Sequence, residues 1–111
     1  MKIRVEAEND SLSLAEDAIH VTIDSKEYIY ELSSVNRMVI FTTDSGPIQD
    51  DMGLAIEVEN NDVIFVMSEH KCFGPFLFDQ IGKALPIDFQ KIIDASASTG
   101  NGTFEIYVKD C

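Results

Sequence analysis

The chain has 111 residues, 45% of them hydrophobic and 25% charged, and a formal net charge of −12. That length suits one domain with its own core, and the seven Phe and three Tyr argue against disorder. Fourteen of the twenty acidic residues precede Ser68, against four of the eight basic ones, and so dense a negative field favours basic partners and excludes nucleic acid and anionic membranes.

Met1-Lys2-Ile3-Arg4 starts as a strand would, with charge interleaved, so a signal peptide is not expected. Ile3, Val5 and Ala7 alternate with Arg4 and Glu6, the period of a strand with one wet face. Glu8-Asn9-Asp10-Ser11 breaks it. Ile19, Val21 and Ile23 alternate again, and Asp24-Ser25-Lys26 reads as a tight turn into a short strand with Tyr28, Tyr30 and Leu32. The β-branched and aromatic run Val35 to Thr43 is the candidate central strand, and Asp44-Ser45-Gly46-Pro47 stops it. Leu54, Ile56 and Val58 lead to Asn60-Asn61, which predicts a hairpin returning through Val63–Met67 because Asn tolerates positive φ.

The period then changes. Gly74-Pro75 opens a helix in which Leu77, Ile81 and Leu85 form one stripe with Phe78 alongside, and Pro86 ends it. Asp88 is a candidate N-cap for a second short helix whose Phe89, Ile92 and Ile93 share a face. Ser98 to Gly102 terminate that segment, and Phe104, Ile106 and Val108 alternate on a last strand. The order predicts a single α+β domain over residues 1–111: a meandering, mainly antiparallel sheet, one or two C-terminal helices on one face, and a final strand. No apolar run approaches the roughly 18 residues that span a bilayer. Cys72 and Cys111 suggest no disulfide framework, so a soluble cytoplasmic protein is expected.

Few residues point to chemistry. Asp44, Asp50 and Asp51 could surround a hard cation, but their spacing is not that of a calcium loop, and a turn explains them better. Glu69-His70-Lys71-Cys72 puts an imidazole and a thiol within three residues, the ingredients of a Cys nucleophile, yet no third orienting residue is identifiable. Pairing His20 with His70 on zinc would need two further ligands. Gly100-Asn101-Gly102 lacks the following helix that a phosphate cradle requires. Neither a cofactor nor a metal is implied.

The landmarks Thr42-Thr43-Asp44-Ser45-Gly46-Pro47, Asp51, Leu85-Pro86, Asp88-Phe89 and Phe104-Glu105-Ile106-Tyr107 form a sequence of turns and core positions. In that order they resemble a loose class of small bacterial proteins of unknown function, some of which look like immunity proteins that neutralise toxins of competing bacteria. The resemblance implies a shared fold and assigns no functional residue. With the charge, it leads to the expectation of a non-enzymatic acidic protein that inhibits a basic partner through Asp44, Asp50, Asp51, Glu57 and Glu59, the last two on the outward face of their strand. The alternatives are a small enzyme using Cys72 and His70, and a homodimer formed through the edge of the Tyr28/Tyr30 strand.

Overall fold

The computed structural model describes residues 1–42, 52–97 and 102–109. Asp44, Asp50 and Asp51 lie outside the described residues. In chain order the strands are β1 (Lys2–Val5), β2 (Ser11–Ala15), β3 (Ala18–Ile23), β4 (Lys26–Glu31), β5 (Arg37–Thr42), β6 (Met52–Glu57), β7 (Val63–Met67) and β8 (Gly102–Val108). Helix α1 is wound as a π-helix over Pro75–Ile81 and closes with one α-turn over Gly82–Ala84, and α2 spans Phe89–Ser96. The class is therefore α+β, as the sequence predicts.

Two sheets form two layers. The larger has the order β1-β7-β6-β5-β8, with β1 parallel to β7 and every other pairing antiparallel. The smaller is the antiparallel meander β2-β3-β4. Its two turns, Glu16-Asp17 and Asp24-Ser25, hold all four residues at positive φ, between 52° and 67°. Two-residue turns of that hand match the right-handed twist of the strands they join. Asn60 and Asn61, both at φ 63°, turn β6 into β7 as their composition predicts.

Alternation sends Ile3 and Val5 of β1, Met38 and Ile40 of β5, Leu54 and Ile56 of β6, and Ile64 and Val66 of β7 to one face of the larger sheet, all fully or almost fully buried. The meander brings Leu12, Ile19 and Val21 against that face, α1 brings Phe76, Leu77 and Ile81, and α2 brings Ile92 and Ala95. Burying each large aliphatic or aromatic side chain stabilises the fold by about 1.5–3 kcal/mol. Polar ties fix how the layers meet. Asp10, buried between β1 and β2, accepts the N–H groups of Ala7 at 2.9 Å and Glu6 at 3.1 Å through Oδ2. Gln80 of α1 accepts the Leu14 N–H of β2 at 2.7 Å, so a helix side chain satisfies a donor on that edge strand.

Several expectations need correction. The break read at Glu8 to Ser11 ends at Asp10, because Ser11 already begins β2, with Leu12 buried and Leu14 packed on the core. The strand expected over Val35 to Thr43 begins only at Arg37, and as β5 it lies inside the larger sheet, paired with β6 on one side and β8 on the other. The apolar stripe of α2 is Ile92 with Ala95, since Ile93 is 60% exposed and Phe89 stacks on the exposed Phe78, ring centroids 6.1 Å apart. Asp88 is the N-cap expected, accepting the Lys91 N–H at 3.3 Å. No helix among the described residues is long and apolar enough to cross a membrane.

Candidate functional site

His70 and Cys72 sit in the turn after β7, and their geometry is that of a brace. A backbone carbonyl only accepts, so the 2.9 Å contact between His70 Nε2 and the Ala7 oxygen makes Nε2 the donor. Nδ1 is then free to accept, and it takes the N–H of Cys72 at 3.1 Å. Both ring nitrogens are thus spent on backbone, tying the turn to the end of β1. The Cys72 side chain is half-buried and packs against the core. His20 lies on the meander, with Nδ1 3.9 Å from Glu27. Among the described residues no group of three His, Cys, Asp or Glu side chains could hold a metal ion.

The carboxylates fall into two populations. On the larger sheet Glu57 and Glu105, and beside it Asp62, are compensated. Arg37 donates through Nε to Glu57 at 2.6 Å and through Nη1 to Glu105 at 3.2 Å, and the bond to Glu57 above all holds its guanidinium protonated. Asp62 accepts the N-terminal ammonium at 3.1 Å and the Tyr30 hydroxyl at 2.9 Å; the ammonium first and the hydroxyl second hold it below the usual carboxylate range. Glu57 does face outward from β6, but Arg37 neutralises it, and Glu59 lies beyond the strand's end, exposed in the β6–β7 turn.

The meander differs. Between Ser11 and Glu31 five acidic residues stand against one Lys. Glu16, Asp17, Asp24, Glu27 and Glu31 are all exposed. Among the described residues no Lys or Arg side chain forms an ion pair with any of them. The β-turn hand forces Glu16 and Asp17 outward, and the pleat does the same for Glu27 and Glu31 on β4, the outer strand of the meander. Ile29, between those two, is 56% exposed.

Beside β4 runs an open groove of about 710 Å³. Glu16, Asp17 and Glu31 form its acidic lip, and Ile29, Leu32 and Tyr107 are among its apolar lining. At its other side Lys109 donates to the Ser33 carbonyl at 2.6 Å, so that cation is held by backbone. The groove unites residues 16–18, 29, 31–33, 85, 107 and 109, distant in sequence, because β4 leads directly into the turn that packs beside β8.

Neither family models nor curated proteins nor solved structures give a match to this chain.

Sequence reasoning singled out the acidic first half and missed this groove. The signal present in the sequence was the acidic pair Glu16-Asp17 just before β3, which the reading passed over, with Glu31 at the end of β4. The apolar floor could not be read, since Tyr107 and Leu32 meet only in the fold.

Proposed function

We propose that the chain is a non-enzymatic, acidic protein-binding domain of inhibitor or immunity type, which takes a basic segment of its partner in the groove beside β4. The observation that carries this reading is the groove's composition: three uncompensated carboxylates over an apolar floor. Lys and Arg side chains suit such a site, laying their aliphatic stems on Ile29, Leu32 and Tyr107 while the charged head meets Glu16, Asp17 or Glu31. The net charge of −12 supplies long-range attraction, which raises association rates by about ten- to a thousandfold. In a partner whose cationic cleft holds phosphate, such as a nuclease toxin, these carboxylates would occupy that cleft in the phosphate's place. Asp44, Asp50 and Asp51 stay candidates for the same surface on sequence grounds.

The test is a titration of the isotope-labelled chain with a basic nuclease, followed by backbone amide shifts. The reading expects the largest changes at Lys26–Ser34 and at Tyr107. Shifts spread evenly over exposed carboxylates elsewhere, at Asp79, Asp94 and Glu59, would overturn it.

A further inference from the structure

Strand β4 ends the meander, and its second edge carries no strand among the described residues. The turn at its start fixes which backbone groups that edge holds. Asp24 and Ser25 form a two-residue turn closed by Ile23 and Lys26, a pair that exchanges both of its backbone hydrogen bonds. Direction alternates from there, so Lys26, Tyr28 and Tyr30 bond β3, while Glu27, Ile29 and Glu31 turn their backbone groups away from it. Leu32, next in the first series, fits that phase by donating to the Asp17 carbonyl at 2.9 Å. The Glu31 carbonyl accepts the Ser34 hydroxyl at 2.6 Å. Both backbone groups of Glu27, both of Ile29 and the N–H of Glu31 have no partner among the described residues.

A bare strand edge invites another strand, and folded proteins blunt such edges with Lys, Pro, bulges or a covering element. Strand β4 has neither Pro nor bulge, and its pairing with β3 runs unbroken from Lys26 to Glu31. Its single basic residue, Lys26, stands beside the turn. What guards the edge is negative charge. Glu27, Ile29 and Glu31, whose backbone faces the edge, also have exposed side chains on the outer face of the meander. A second copy paired there about a two-fold axis at Ile29 would set each Glu27 opposite a Glu31, and like charges directly opposite destabilise a sheet. A basic strand meets attraction at the same positions.

We infer that the partner's basic segment is an extended strand that adds to β4 antiparallel, as a further strand of the meander. This rests on the reading of the chain as a binder of basic segments, and it names the shape and residue pattern such a segment has. Antiparallel pairing is the more stable arrangement per residue. Residues opposite Glu27, Ile29 and Glu31 then send their own N–H and C=O groups to β4 and their side chains to its outer face. Charge complementarity asks for Lys or Arg, then an apolar residue, then Lys or Arg at those alternate positions. The residue opposite Glu31 sits at the acidic lip of the groove, which Glu31 shares with Glu16 and Asp17. Main-chain bonds supply affinity, and the carboxylates select the sequence.

The probe is the peptide Ser-Lys-Thr-Val-Thr-Lys-Ser with blocked ends, added to the isotope-labelled full chain at about 0.01 M salt, where exposed charges are weakly screened. Water exchange of the backbone amides reads the pairing. With the peptide bound, the N–H groups of Glu27, Ile29 and Glu31 should exchange at least about tenfold more slowly, while those of Tyr28 and Tyr30, already bonded to β3, should change little. A twin N-methylated at Lys, Val and Lys keeps every charge and blocks the donors facing β4, so it should bind at least about tenfold more weakly. Methylation at the Thr residues instead, whose N–H groups face away, should change binding by less than about threefold. Binding that leaves the three edge amides in fast exchange, or equal binding by the two methylated twins, would overturn strand addition and leave the groove reading standing. A peptide that shifts no amide, or shifts Asp79 and Asp94 as much as β4, would remove both. Edge amides protected without peptide, and more strongly as protein concentration rises, would put a second copy on β4 and overturn the inference as well.

Discussion

Gly82 faces the carbonyl oxygen of Leu77, five residues back, at a separation that leaves no room for a β-carbon. That contact belongs to the π-helical winding of Pro75–Ile81, which aims a carbonyl five rather than four positions ahead. In a regular α-helix, Gly→Ala stabilises by roughly 1 kcal/mol. Here Gly82→Ala should destabilise, by about 1–3 kcal/mol, as overpacking against backbone does. Urea titration of the two proteins gives the sign, and a stabilised variant would mean that α1 is wound as an ordinary helix.

Asp10 makes acid stability a local question. Its carboxylate is held below the ordinary value of 3.8, mainly by the Ala7 N–H, with burial opposing and the Glu6 N–H adding to the effect. Since the folded value lies below the unfolded one, the contribution is fully present above pH 3.8 and is lost as pH falls through the folded value. Asp10→Ala leaves two backbone donors without their acceptor and should cost about 1–3 kcal/mol at neutral pH. The urea midpoints of wild type and variant should converge as the pH is lowered below 3.8.

At the alkaline end the corresponding group is Tyr30. Burial first, and its hydrogen bond to Asp62 second, push the phenol up to about 12 from 10.0. The folded value is the higher one, so this contribution is present below pH 10.0 and is lost as pH rises through about 12. Ultraviolet titration of the phenols should show a late step near pH 12 that Tyr30→Phe removes. A late step that survives the substitution would contradict the Tyr30–Asp62 contact.

Much of the fold was legible because period and turn chemistry act locally. Asn60-Asn61, Asp88 and the alternation of Leu54 and Ile56 each announce their structure within a few residues. The failures are non-local. Leu12 and Leu14 follow a polar break, and only the partner strand β3 and the side chain of Gln80 make that stretch a strand. Phe89 and Ile93 have helical spacing with Ile92, but α2 lies at the margin of the sheet and buries a narrower stripe. The winding of α1 brings the Leu77 carbonyl close over Gly82, a relationship that leaves no mark on hydrophobic periodicity. For the candidate site, overall acidity was plain in the composition. Which carboxylates are compensated was not, because Arg37 reaches both Glu57 and Glu105 only across a formed sheet.

The rate of association with a basic nuclease, measured by stopped flow, tests the central claim most directly. The groove variant is Glu16→Gln/Asp17→Asn/Glu31→Gln, with Asn well suited to the positive φ at Asp17. The comparison is Glu8→Gln/Asp79→Asn/Asp94→Asn, which removes the same charge from exposed positions outside the groove. The account predicts that the groove variant slows association and raises the dissociation constant at least about tenfold, and that the comparison variant changes both by less than about threefold. Equal effects of the two variants would reduce the charge to generic acidity and contradict the account.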